Sequence, residues 1–185
     1  MDTLGVVESK SIAAGAMIAD GMVKAAKVEL VRAATICAGR YLIFVSGDTG
    51  AVKTSVEYAK NSRYSLSGSF VITNLSPQIP AVLKNSLPGV AGEAIGIVEC
   101  RNVSSGIAAT DVAVKRSAVR LLRLVAGQGI MGKSYFVLGG EVSTVAEAVE
   151  AAQVFLAGRL IEAVVMPVPD ESVVRALTGR LGANG

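Results

Sequence analysis

The chain contains no histidine and only two cysteines, Cys37 and Cys100. Without an imidazole, a serine–histidine triad, a histidine general base and every histidine-based metal site are excluded, which leaves carboxylate, lysine, tyrosine or cysteine chemistry. Cys37 stands in "TICAGRY", residues 35–41, beside a glycine and a basic residue and ahead of an apolar run. A solitary cysteine is usually an inert small hydrophobe, and one thiol makes a poor metal site. Its chemistry therefore turns on whether the fold brings copies of Cys37 together. As a nucleophile it would need a nearby base and an oxyanion-stabilising site. Arg40 and Tyr41 are its only sequence neighbours of that kind, and both are poor general bases near neutral pH. Cys100, next to Glu99 at the end of an expected strand, reads as structural.

The remaining polar candidates have simpler readings. Glu8, Glu99, Asp20 and Asp111 recur at equivalent places in two halves of the chain, which suits a structural role better than a catalytic one. "GDTG" at 47–50 and "GGEVS" at 139–143 resemble anion-cradling helix starts, but a tight turn with an acid near the positive end of the helix dipole explains both. "GQGIMG" at 127–132 joins two strands instead of opening a helix, so it is weak as a nucleotide loop. Lys24 and Lys115 each follow an aspartate by four residues, the spacing of a solvated pair on a helix face. A lysine at a subunit edge, its stem along a neighbour and its ammonium on a backbone carbonyl, is the alternative.

An internal repeat must position all of these. Residues 4–32 lie over 95–123 at a constant offset of 91, with ten identities in 29 aligned positions, among them Gly5/Gly96, Glu8/Glu99, Gly15/Gly106, Asp20/Asp111 and Lys24/Lys115. "GRYLIFVSGDTGAVKTSVEYA" then matches "GKSYFVLGGEVSTVAEAVEAA" at an offset of 93, so the two extra residues fall in the loop that carries Cys37 in the first copy. Each copy predicts strand, helix, strand, strand, helix, strand and a short closing helix, the split βαβ order of a ferredoxin-like α/β (α+β) unit. Ile12, Ala16, Ala19 and Val23 mark the buried face of the first helix, with Ser9 or Ser11 as its cap. The expected domains are residues 1–90 and 92–185, with a linker at 85–94 and a fraying tail from 177.

Composition narrows the partners. Just over half of the 185 residues are apolar and few are charged, which fits a packed globular protein that buries part of its surface against other subunits. No apolar stretch approaches the roughly 20 residues of a spanning helix, and the start MDTLGVVES does not read as a signal peptide. Membrane contact is not expected. Two cysteines make no disulfide framework, so a reducing, intracellular setting is expected. A net charge of +3 from scattered basic residues, with few aromatics, gives no nucleic-acid footprint.

Both copies, with "GVVES…AAGAMIADGMVKAAKVELV…GDTGAVKTSVEYA" and "GIVEC…DVAVKRSAVRLLR…GKSYFVLGGEVSTVAEAVEAA", resemble the bacterial microcompartment shell domain in its unpermuted order, over nearly the whole chain. The resemblance is to the tandem-domain type, as in propanediol-utilisation shells. It implies a non-enzymatic shell protein in the cytoplasmic organelle, forming a homotrimer that mimics a six-fold tile beside other shell proteins, with encapsulated redox enzymes as further partners. It also implies a pore loop at Thr35, Ile36, Cys37, Ala38 and Gly39, tile edges at Lys24 and Lys115, and one [4Fe–4S] cluster per trimer held by Cys37 for electron passage across the shell. A cluster-free pore for small metabolites, or a trimeric small-molecule sensor, is the alternative. The second copy has no cysteine in its loop, and "MPVPD" and "LSPQIP" lack the basic edge residue that many shell domains carry.

Overall fold

The computed structural model describes residues 3–83 and 92–178. The linker expected at 85–94 and the tail expected from 177 lie largely outside those residues. In the first copy β1 (Thr3–Ser9), α1 (Ile12–Ala25), β2 (Glu29–Ile36), β3 (Arg40–Gly47), α2 (Thr49–Lys60), β4 (Leu66–Thr73) and α3 (Gln78–Leu83) follow in the expected order. The second copy repeats it as β5 (Ala94–Cys100), α4 (Val103–Arg116), β6 (Arg120–Ala126), β7 (Ser134–Gly140), α5 (Val142–Leu156), β8 (Leu160–Pro167) and α6 (Glu171–Thr178). Two four-stranded sheets result, ordered β2-β3-β1-β4 and β6-β7-β5-β8. β1 runs antiparallel to both β3 and β4, as β5 does to β8.

β1 is buried along its whole length because both faces of this central strand are covered. Val7 joins Ile43 and Val45 of β3, Ile18 and Met22 of α1, and Val52 and Val56 of α2 in one apolar core. Gly5 lets α2 close on the strand, since a Cβ there would lie 2.8 Å from Val45 and Val56. Gly96 does the same in the second copy, where a Cβ would meet Val149 at 2.6 Å. Close packing thus accounts for that identity between the copies.

Local chemistry sets the ends of the elements. Ser11 is the cap of α1 and accepts from the Ala14 N–H, while the Ser9 hydroxyl donates to the Ser11 carbonyl, so the two serines that competed for one role have separate ones. α3 begins two residues before Pro80, which lies in the first turn where a missing N–H costs nothing. The turns after β4 and β8 correspond closely, with positive φ at Asn74 (51°) and Val168 (47°).

The chain forms two compact units, and they do not follow the repeat. One holds residues up to Leu75 together with Arg101–Ala108 and Ala126–Ser134; the other holds Ser76–Cys100, Ala109–Val125 and the rest from Tyr135.

Candidate functional site

β2 ends at Ile36, which is buried, and a single 3-10 turn, Cys37–Gly39, reverses the chain into β3. Ala38 (φ 64°) and Gly39 (φ 67°) both adopt the left-handed conformation. Glycine does so freely, whereas alanine there costs about 1–2 kcal/mol. Cys37 is half-buried and carries a free thiol.

The loop 127–132, in the same compact unit, wraps this turn. The Cys37 N–H donates to the Gly127 carbonyl at 3.3 Å, and the Gly129 N–H donates to Cys37 Sγ at 3.2 Å. A Cβ on Gly132 would sit 3.0 Å from the Cys37 carbonyl oxygen. Gly127, Gly129 and Gly132 all have positive φ, between 74° and 82°. "GQGIMG" is therefore no nucleotide loop but the backbone partner of Cys37. Its three glycines, opposite the cysteine loop in the repeat, were the one signal of this in the sequence.

Arg40 closes the turn. Its Nη1 donates to Glu8 Oε1 at 2.9 Å and to the Gly132 carbonyl at 3.3 Å. Glu8 is fully buried, and its other oxygen accepts the Ser104 N–H at 2.9 Å. The Arg40 charge is thus matched by Glu8 and is no free counter-charge for the thiol.

Among the described residues no group of three or more histidine, cysteine, aspartate or glutamate side chains could hold a metal ion. One chain offers one soft sulfur donor with an amide directed at it, the setting that thiolate ligands of iron–sulfur clusters have. The donor set fits a cluster only as one ligand per chain.

The other candidates fall apart into different environments. Lys24 Nζ lies 2.7 Å from Asp20 Oδ2 in an exposed pair. Lys115 pairs likewise with Asp111, but Asp111 is buried and also accepts the Ser76 N–H at 2.8 Å. Asp48 caps α2, accepting from the Gly50 and Ala51 amides, so the first-turn N–H groups of "GDTG" are taken by the chain's own acid. Glu141, its counterpart before α5, makes no side-chain cap bond. An open groove lined by Ala25, Val56, Tyr58, Phe70 and Val71 on its apolar side also has Lys53, Thr54, Glu57, Lys60, Asn61 and Ser69 in its lining, and its exposed surface is mainly apolar.

Comparison with known proteins gives a consistent picture. The BMC domain family model matches residues 3–75 and again 94–169. The chain is 37% identical over 183 residues to the bacterial microcompartment shell protein PduT of Citrobacter freundii, covering 94% of this chain and 96% of that protein. It is 28% identical over 85 residues to the major carboxysome shell protein CsoS1A of Halothiobacillus neapolitanus, covering 46% of this chain and 87% of that protein. A crystal structure of a microcompartment protein from Desulfitobacterium hafniense superposes with a TM-score of 0.79 at 36% identity, over 95% of this chain and 99% of that one.

Proposed function

Because this chain belongs to the BMC-domain family, as a tandem-domain shell protein of bacterial microcompartments, we propose that three copies close into one shell tile whose Cys37 loops line a central pore. Its place is the shell and its role is structural, not enzymatic.

The observation that carries the trimer is the unequal cover of equivalent elements. In the first compact unit the start of α4 is held on β4: Asn102 Nδ2 donates to the Ser67 carbonyl at 3.0 Å, and Glu8 accepts the Ser104 amide. In the second unit the edge strand β6 is bound by Gln78 of α3, which accepts from the Leu121 N–H at 2.7 Å and donates to the Val119 carbonyl at 3.2 Å. Here first-copy residues cover second-copy elements. The matching first-copy elements, α1 and β2, leave Ile12, Met17, Leu30 and Val31 exposed.

A neighbouring chain's second copy, acting on α1 and β2 as the first copy acts on α4 and β6, covers them. Side-chain sizes support this. Gly68 lies opposite Glu8 and Glu162 opposite Glu99, so the two correspond. A Cβ on Gly68 would meet Ser104 Oγ at 2.3 Å. At the place of Ser104 the first copy has Ala13, without the hydroxyl, so the Cβ of Glu162 is accommodated. Head-to-tail repetition of one contact closes a ring, here of three chains with approximate six-fold symmetry.

On a three-fold axis one thiol becomes three. The finer reading is that the three Cys37 thiolates hold one [4Fe–4S] cluster, which when bound supplies a one-electron carrier in the shell; redox enzymes inside would be its partners. The amide directed at Sγ favours it. A pore without a cluster needs nothing beyond the trimer, and it is the reading retained if no metal is found. Lys24 and Lys115 are proposed as tile edges toward other shell proteins. Anaerobic purification with iron and sulfide analysis, and low-temperature EPR of the reduced protein, tests the cluster. Iron and signal in the wild type, both lost in Cys37→Ser, support it; iron-free wild type, or a Cys37→Ser variant that keeps both, ends it and leaves the pore.

A further inference from the structure

We propose that Glu8 is a positioning residue for Cys37: through Arg40 it locks the 127–132 loop against the thiol and keeps the sulfur in one orientation.

Five bonds make one continuous connection. The Ser104 N–H, at the start of α4, fixes one oxygen of Glu8, and the other oxygen receives Arg40 Nη1. That same nitrogen reaches the Gly132 carbonyl. The loop so held donates its Gly129 amide to Cys37 Sγ and accepts the Cys37 N–H at Gly127. Glu8 is the only fully buried side chain in the connection that carries a charge, and it touches neither the thiol nor the loop. Its action is therefore indirect. An ionised carboxylate is acceptor-only, which suits a site approached by two donors; an amide in its place presents an N–H to one of them. Both bonds leave Nη1, one N–H toward the carboxylate and one toward the carbonyl, and the planar guanidinium fixes the angle between them, which a freely rotating ammonium at the same place does less well.

The second copy carries other residues at two of these places. Lys133 stands where the first copy has Arg40, and no cysteine lies in its loop. Arginine and thiol thus occur together in the copy where the loop geometry matters. The inference concerns the Cys37 loop of the proposed pore but not the cluster, so it is tested on metal-free protein.

The test is the rate at which Cys37 of the full-length chain reacts with Ellman's reagent under native conditions. Buried Cys100 serves as the internal reference, and a Cys37→Ser control assigns the two thiols. Loss of about one hydrogen bond's worth of restraint should raise the Cys37 rate about tenfold in Glu8→Gln, with Cys100 still protected. Arg40→Lys should give a smaller increase, and it decides the matter if Glu8→Gln does not fold. An unchanged Cys37 rate in the folded variant, or Cys37 and Cys100 accelerating together, overturns the proposal. Iron analysis reads the cluster separately, so failure of one result does not imply failure of the other.

Discussion

The two copies share one element order, yet α1 shows the more apolar sequence and the more exposed face, while α4 carries Ser104, Ser105 and Thr110 and is buried almost throughout. Hydrophobicity alone would rank them the other way. Small side chains let a neighbouring strand approach, and at the start of α4 the Ser104 amide donates to Glu8 of β1 while Asn102 donates to the Ser67 carbonyl of β4, so α4 is built to be covered from within the chain. α1, with Ile12 and Met17 facing outward, is built to be covered from outside it. A duplicated domain has thus divided its labour: one copy has its contacts already, and the other presents the complementary surface.

Pairs of equivalent substitutions sharpen this contrast. The largest difference is expected at the repeated glutamates. Glu8→Ala strands Arg40 and the buried Ser104 amide and should cost about 3–5 kcal/mol. Glu99→Ala, at a half-buried site, should cost about 1 kcal/mol in the isolated chain. Denaturant unfolding of both variants measures the gap, and equal losses would break the comparison.

Next come the repeated aspartates. Asp111→Ala removes the acceptor of the Ser76 amide as well as a partner of Lys115, for about 2 kcal/mol. Asp20→Ala removes an exposed i,i+4 pair worth about 0.5 kcal/mol or less. If the tile forms as proposed, Asp20→Ala changes assembly more than it changes unfolding.

A smaller asymmetry belongs to the helix caps. Asp48→Ala should lose about 1 kcal/mol because two amides lose their acceptor, and Glu141→Ala should be near neutral because no cap bond exists there. Thermal melts resolve the two.

The least effect is one of pH. The Ser172 hydroxyl and amide hold the Asp170 carboxyl below its ordinary range. A depressed folded value means that its contribution is present above the unfolded value and is lost as pH falls through the folded one. α6 should therefore loosen slightly on acidification below the usual carboxylate range, a change readable by NMR at Ser172. No such shift at Ser172 would remove the Asp170 carboxylate as the acceptor of the Ser172 amide and hydroxyl.

The fold was legible because a repeat doubles every periodic signal. The element order, the apolar run of β3 and the glycine–acid turn before α2 each had a second copy for comparison. The helix face expected at Ile12, Ala16, Ala19 and Val23 is corrected by the structure: Ile12 and Ala16 are exposed, and α1 buries Gly15, Ile18, Ala19 and Met22 against β3 and α2 instead. The site was half legible. Cys37 stood out by its rarity, but its setting depends on contacts spanning 92 residues to Gly129 and Gly132 and 96 from Glu8 to Ser104, which no local pattern encodes. Arg40 lay beside the thiol in sequence, and its direction toward Glu8 came only with the fold. The recurrence of Glu8 as Glu99 pointed to structure and concealed that only one of them serves the cysteine loop.

Closure into a ring is the premise on which pore, edge and cluster all depend. Native mass spectrometry of the full-length chain, purified anaerobically, tests it most directly. A dominant species at three times the 18.9 kDa chain mass is predicted. A dominant monomer or dimer would contradict the account.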